Sequence, residues 1–224
     1  MGNLIAVYLF GSAARGDVDA RSDLDLLAVV EDGRGKVSVE DVLAYVPREL
    51  VGLEASVSWY GRNRLSHMFG NGELFAWHLH QETCPLHEVE PFLENLGKPA
   101  PYRDGAADVA SFNTILSGIP NQLLAAPGNA VYELGLIYVC LRNICMAASW
   151  TLCPRPDFSR YSPFRLNNFT PAPITISDYE LAMTCRMAGQ RGLPPPARVE
   201  PSRVAEIHAS LAPWAVALCQ RLEE

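Results

Sequence analysis

Two aspartates separated by a single residue are the first candidates for chemistry in this sequence. Asp23 and Asp25 stand at the start of an apolar segment, LDLLAVV, which is typical of a buried β-strand. Because side chains alternate across a strand, both carboxylates are expected on one face, with Leu24 and Leu26 on the other. Parallel carboxylates repel each other unless a cation lies between them, and Mg²⁺ prefers carboxylate, water and phosphate oxygens. The pair therefore predicts a site for magnesium and a phosphorylated ligand.

A glycine and a serine follow another short apolar segment nearer the N-terminus. Gly11 comes directly after LIAVYLF and allows the backbone to turn tightly and approach a ligand. Ser12 offers a hydroxyl and an N–H group at the start of a short helix, where free amide groups favour phosphate. Arg15 has two interpretations, since its guanidinium could hold a phosphate or brace the turn.

The elements that must position these residues are predicted from hydrophobic periodicity and from turn residues. A helix capped by Ser38 is expected to reach about Leu50. The other elements expected in the first half are strands Leu4–Phe10, Leu24–Val30, Leu53–Tyr60 and Pro85–Val89, and helices Arg62–Phe69 and Glu73–Gln81.

Composition changes at residues 97–101, GKPAP, which we interpret as a linker between a domain of residues 1–97 and a helical domain of residues 104–224. The helices expected in the second domain are Ala106–Leu124, Ala130–Leu152, Ser177–Gly189 and Pro201–Glu223. The predicted fold class is α+β, with an N-terminal mixed β-sheet core flanked by helices and a C-terminal antiparallel helical bundle.

The residues above also resemble a known family. Gly11-Ser12, Arg15-Gly16 and Ser22-Asp23-Leu24-Asp25-Leu26 resemble the signature of nucleotidyltransferases with a DNA-polymerase-beta-like core, such as the aminoglycoside and minimal nucleotidyltransferases. The resemblance is strong over residues 5–30 and weaker to about residue 90. It implies a nucleotide site at Gly11, Ser12, Arg15 and Ser22, with Asp23 and Asp25 as catalytic ligands of Mg²⁺ in a two-metal site. The substrate would be a nucleoside triphosphate, with ATP among the candidates.

Members of this family normally carry a third carboxylate on a later strand, which deprotonates the acceptor hydroxyl. Glu54 is the best candidate, because its strand should lie beside the strand of Asp23 and Asp25, although Glu replaces the usual Asp. The alternative is an exposed glutamate at a strand start without a catalytic role. Ser56 and Ser58 share its face but are poorer bases.

The second domain contributes one informative loop. Residues 154–165 contain three arginines and three aromatic residues, groups that could hold a base or a triphosphate. In similar bacterial enzymes a helical domain closes the substrate cleft, so the resemblance implies that Arg160 and Tyr161 contact nucleotide; a packing loop is the alternative. Arg142-Asn143 resembles the motif of HEPN ribonucleases. Ala147 stands where that motif requires histidine, so ribonuclease activity is not expected.

Charge and composition limit the partners. Residues 1–100 hold 8 Lys and Arg against 15 Asp and Glu, a balance of −7, while residues 101–224 balance at 10 against 10. An acidic half is a poor match for long nucleic acid and suits a small or cationic acceptor. No apolar run approaches the ~20 residues of a membrane helix. The N-terminus lacks the pattern of a signal peptide. The six scattered cysteines are expected as reduced core thiols in a cytoplasmic protein.

Three hypotheses follow for the function. In the first, the chain transfers a nucleoside monophosphate to a hydroxyl of a small molecule such as an aminoglycoside, conferring antibiotic resistance. In the second, the acceptor is a protein or tRNA, as in toxin or antitoxin nucleotidyltransferases. In the third, a degenerate site binds nucleotide and regulates a partner. Pyrophosphate release separates the first two from the third, and a homodimer or protein partner is compatible with each.

Overall fold

Alternating apolar residues on neighbouring strands build the first part of the chain around a four-stranded sheet. The computed structural model describes residues 4–18, 22–33, 36–194 and 198–224. Residues 19–21, between the glycine-serine turn and the aspartate pair, lie outside the described part. The chain divides into two compact units, Met1–Arg103 and Asp104–Glu224.

The sheet of the first unit is mixed. Its strand order is β3-β2-β1-β4, with β1 antiparallel to β2 and β4, and β2 parallel to β3. The strands are β1 Leu4–Phe10, β2 Leu24–Val30, β3 Ala55–Gly61 and β4 Cys84–Glu88. The helices are α1 Gly11–Arg15, α2 Val39–Leu43, α3 Arg62–Asn71, α4 Leu74–Glu82 and α5 Phe92–Leu96. The predicted α+β class with a mixed sheet and flanking helices is confirmed.

Both faces of the sheet are buried. Leu27 and Val29 of β2 pack with the apolar residues of α3, α4 and α5 in one cluster. Leu24 and Leu26 point to the opposite face and pack with Val42 of α2 in the second cluster. The strand of the aspartate pair is therefore fixed from both sides, because a one-residue slip would move every side chain to the wrong face.

The helix after residue 38 is shorter than predicted. Ser38 does cap it, since its Oγ accepts from Asp41 N at 3.2 Å while Asp41 Oδ2 accepts from Ser38 N at 2.8 Å. The helix ends at Leu43, however, and a separate 3-10 turn follows at Arg48–Leu50. Pro47 disfavours helical backbone in the residue before it, so the predicted continuous helix to Leu50 is wrong.

The segment expected as a linker packs on the first unit. Ala100 donates its N–H to Phe69 O at 2.9 Å, and Ala100 O accepts from Trp77 Nε1 at 2.9 Å. Tyr102 is buried as well. Residues up to Arg103 thus belong to the first compact unit.

The second unit is helical, and α7 packs against α6, α8 and α9. Its helices are α6 Gly105–Ala125, α7 Ala130–Leu152, α8 Ile176–Arg191 and α9 Pro201–Glu223. Against the expectation from sequence, Pro127–Leu152 is long and apolar enough to cross a membrane by length and composition. Of its most apolar window, 61% is buried inside the protein, and a buried core helix meets the same criterion.

Candidate active site

The aspartate pair lies at the start of β2 with its carboxylates on one face. Ser22, Leu24 and Leu26 are buried, whereas Asp23 and Asp25 between them are partly exposed, as alternation requires. Asp25 shares its face with Leu27 and Val29, and hence with the cluster beneath α3 and α4. The side chains predicted to hold a cation are therefore partly solvent-accessible and rest on a rigid strand.

Gly11 lies directly against one of these carboxylates. Phe10, the last residue of β1, pairs with Asp25 across the antiparallel strands. The next residue, Gly11, has φ +70°, and a Cβ built there would lie 2.5 Å from Asp25 Oδ2. Any side chain at this position would be strained and would collide with the carboxylate. The glycine thus brings the backbone of α1, including Ser12, next to the aspartate pair.

The third predicted carboxylate comes from the neighbouring strand. The parallel register aligns Leu24 with Ala55, which places Asp23 beside Glu54. A hydrogen bond from Leu24 N to Glu54 O, 2.9 Å long, fixes this register at the strand start. Glu54 is exposed, and Asp25 aligns with Ser56 on the same strand. Three carboxylates are thereby brought to one end of two adjacent strands.

The Asp23 and Asp25 carboxylates meet the requirements of a magnesium site that also uses substrate phosphates. Within the described ranges, no group of three or more His, Cys, Asp or Glu side chains is arranged to hold a metal ion by protein donors alone. Magnesium in phosphoryl-transfer sites is bound by one or two carboxylates, with water and substrate phosphates as the other ligands. Asp23 and Asp25 provide those carboxylates, and Gly11, which has no side chain, lets its backbone lie against Asp25 Oδ2. The residues therefore fit a magnesium ion that arrives with a nucleotide.

Arg15, the last residue of α1, is paired with two carboxylates. Its Nη1 lies 2.5 Å from Glu82 Oε2 on α4, and its Nε lies 3.2 Å from Asp17 Oδ2. Burial lowers the pKa of Arg15, but the Glu82 and Asp17 carboxylates outweigh this effect and raise the pKa above its usual value. Of the two roles considered for Arg15, this geometry favours bracing the turn.

Glu82 also contacts His78, which lies one helical turn earlier. A spacing of four residues puts both side chains on one face of α4, and 2.9 Å separates His78 Nε2 from Glu82 Oε2. The contact between Glu82 and Arg15 was not foreseen. It joins residues 67 apart in the chain, and only the packing of α4 against α1 brings them together.

Arg160 and Tyr161 lie in the second unit, on the loop before α8. The Arg160 carbonyl accepts a hydrogen bond from the Tyr179 hydroxyl at 2.6 Å, and the Tyr161 hydroxyl donates to Glu180 at 3.0 Å. Phe164 adds an edge-to-face contact with the Tyr179 ring. These contacts pack the loop within its unit, and nucleotide binding by Arg160 and Tyr161 stays a prediction.

A family comparison agrees with the residues of the site. Residues 2–83 match the family model described as a nucleotidyltransferase domain, which spans β1 to the end of α4. The resemblance stated from the glycine-serine and aspartate motifs is confirmed. Residues 2–83, within the first unit, are therefore similar to a nucleotidyltransferase domain.

Comparisons with whole proteins give only distant likenesses. No curated protein sequence matches the chain significantly. Spectinomycin adenyltransferase AAD(9) from Enterococcus faecialis, solved with ATP and spectinomycin, is 11% identical over 99% of this chain and 92% of that chain, with a TM-score of 0.49. A nucleotidyltransferase-like protein from Exiguobacterium sibiricum 255-15 is 12% identical over 98% of this chain and 69% of that chain, with a TM-score of 0.35.

Proposed function

We propose that this chain transfers a nucleoside monophosphate from a nucleoside triphosphate to a hydroxyl group of a small acceptor and releases pyrophosphate. The observation that carries this proposal is the close approach of Gly11 to Asp25, where a Cβ would lie 2.5 Å from Oδ2. The approach brings a turn suited to phosphate next to carboxylates suited to a divalent cation. Nucleotidyl transfer needs both groups at the same phosphate.

The nucleotide site follows from this contact. The backbone of Gly11 and the hydroxyls of Ser12 and Ser22 bind phosphate oxygens, with Ser22 the more buried of the two serines, at the start of the aspartate segment. Asp23 and Asp25 hold Mg²⁺. When held by these two carboxylates, Mg²⁺ would neutralise charge on the α-phosphate and the departing pyrophosphate.

Glu54 is the proposed base. It accepts the proton of the acceptor hydroxyl, and the hydroxyl oxygen forms a bond to the α-phosphorus. The bond from the α-phosphorus to the oxygen that bridges to the β-phosphate breaks, and pyrophosphate leaves with that electron pair. The alignment of Glu54 beside Asp23 supports this role, and its exposure lets an acceptor reach the carboxylate.

The acceptor is proposed to be small and cationic, in the manner of an aminoglycoside. The excess of seven negative charges in residues 1–100, 8 Lys and Arg against 15 Asp and Glu, attracts a cation and repels a polyanion.

Pyrophosphate release tests the proposal. The protein is incubated with Mg²⁺, each of the four nucleoside triphosphates, and aminoglycosides, bulk tRNA or a purified protein mixture as acceptors. Release that requires an aminoglycoside and disappears in Asp25→Asn supports the proposal. Pyrophosphate release that requires tRNA or protein would show that the acceptor is a macromolecule and not a small cationic molecule. Nucleotide binding without release from any acceptor would contradict transfer and favour a regulatory module.

A further inference from the structure

One face of α4 contacts the residue before α1 and the last residue of α1. His78 and Glu82 are four residues apart on α4 and lie on the same face. The His78 ring packs edge-on against the ring of Phe10, the residue before Gly11, with 5.6 Å between centroids. At the other end of α1, Arg15 Nη1 donates to Glu82 Oε2 at 2.5 Å. Two side chains of one helix thus contact the chain on either side of the turn, at Phe10 and at Arg15.

A single carboxylate oxygen connects these contacts. Arg15 Nη1 and His78 Nε2 both lie within hydrogen-bond distance of Glu82 Oε2. The side chain of Glu82 is 12% exposed, that of Arg15 is 22% exposed and that of His78 is 9% exposed. Ionic contacts with so little solvent around them are weakened less by water and salt than contacts on the surface. The arrangement is therefore suited to fixing the position of α1.

We infer that Glu82 is a positioning residue for nucleotide binding: it fixes Arg15, and with it α1, so that Gly11 and Ser12 are shaped before the nucleotide arrives. The inference rests on the proposed function, because α1 positions a substrate only if the chain binds a nucleotide. Arg15 then acts as a brace and is not a phosphate ligand. Ordering the turn in advance removes part of the entropic cost of binding.

The test is a nucleotide-binding titration that needs no turnover. A non-hydrolysable nucleoside triphosphate is titrated with Mg²⁺ into wild-type protein and into Glu82→Gln, which keeps the side-chain shape and removes the charge. The expected result is a Kd raised on the order of tenfold, about the effect of one lost interaction of 1.4 kcal/mol.

A matched control separates positioning from stability. Glu73→Gln removes another ion pair of the same region, in which both Glu73 oxygens accept from Arg64 of α3 at 2.7 Å. Both variants should lower Tm, the control by less because the Arg64–Glu73 pair is more exposed, and the control should leave Kd unchanged. Equal Kd values in Glu82→Gln and wild type would overturn the inference. If Arg15 were a phosphate ligand, its release from Glu82 would leave nucleotide affinity unchanged or raise it.

A double variant checks that Arg15 and Glu82 act together. If they do, Arg15→Gln/Glu82→Gln binds no more weakly than either single variant; additive losses would overturn the inference. Should Glu82→Gln fold poorly, Arg15→Gln is used to measure hydrogen exchange of the α1 amides, which must be faster than in wild type. Unchanged exchange contradicts the inference.

The inference and the proposed function can fail separately. Wild-type protein that binds nucleotide without transferring it contradicts the function alone. Wild-type protein that binds no nucleotide overturns both.

Discussion

Gly11 and Asp25 approach each other at the junction of β1, α1 and β2, and the carboxylate occupies the space next to the glycine backbone. A Cβ on Gly11 would lie 2.5 Å from Asp25 Oδ2, and the backbone there has φ +70°. Replacement of this glycine combines backbone strain with a steric clash at a proposed metal ligand. The two effects can be separated, because Gly16, at the end of α1, has φ +77° and no atom of the described residues within 4 Å of its Cβ position.

Gly11→Ala is expected to lose nucleotidyl transfer by about 100-fold or more, whereas Gly16→Ala keeps most of it. Both variants carry the left-handed backbone cost of ~1–2 kcal/mol, but only the first displaces Asp25. The change in Tm measures the effect of backbone strain on stability. The change in kcat/KM for the nucleotide measures the effect of displacing Asp25. Equal activity losses in the two variants would mean that the contact with Asp25 is irrelevant to function.

Glu54→Gln is expected to lower kcat by roughly 10²–10⁴, the usual contribution of a general base, with little change in nucleotide affinity. The amide keeps the size of the side chain but cannot accept the hydroxyl proton. Glu49→Gln is the control, since Glu49 lies exposed on the 3-10 turn before β3. Full activity in Glu54→Gln would remove Glu54 from the mechanism.

Glu133 on α7 is a source of pH-dependent instability. It is 3% exposed, and its Oε2 has no hydrogen-bond partner in the part of the chain that the structure describes. Burial raises the pKa of Glu133 in the folded protein. Between the unfolded and folded pKa values the unfolded state binds fewer protons, so this residue reduces stability as pH rises through that window.

Glu133→Gln should therefore unfold at a higher Tm than wild type at about pH 8. The gain should shrink at about pH 3, where Glu133 is protonated in both the folded and the unfolded protein. A gain of about 1 kcal/mol corresponds to roughly 2–4 °C in a protein of this size. Calorimetry at both pH values makes the comparison. A gain that is the same at both would show that ionisation of Glu133 is not the cause.

The cysteines are expected to react with a thiol reagent in three classes. Cys84 is exposed and should react first, followed by the partly buried Cys153 and Cys219. Burial raises the pKa of Cys140 to about 12 and also raises the pKa values of Cys145 and Cys185, so these thiols lack reactive thiolate. Labelling followed by mass spectrometry should find them modified only in denaturant. Loss of the fast phase in Cys84→Ser is the control; fast labelling of Cys140 in the native protein contradicts the burial.

Much of the scaffold was predictable because it depends on local patterns. The bounds of β1 and β2 coincide with apolar runs ended by glycine or acidic residues, and Ala130–Leu152 was predicted with its observed bounds as α7. The shared face of Asp23 and Asp25 follows from strand alternation alone. The pairing of β2 with β3 was also expected, because the resemblance places the strand of the third carboxylate beside the strand of the aspartate pair.

The remaining features depend on packing between distant residues. The Arg15–Glu82 pair joins residues 67 apart, and neither residue type reveals its partner in the sequence. The short helix α5 was missed because five residues between Pro91 and Gly97 carry too little periodicity. The early end of α2 was predictable from the sequence, because Pro47 stands inside the predicted helix and a proline there interrupts helical hydrogen bonding.

The central claim is that Asp23 and Asp25 together bind the metal used in nucleotidyl transfer. The most direct measurement is acceptor-dependent pyrophosphate release by wild type, Asp23→Asn and Asp25→Asn, with Asp108→Asn on α6 as the control for the same chemical change. The account predicts release by wild type and the control, and a loss of at least about 100-fold in either aspartate variant while the fold, measured by circular dichroism, is kept. Undiminished release in either aspartate variant would contradict it.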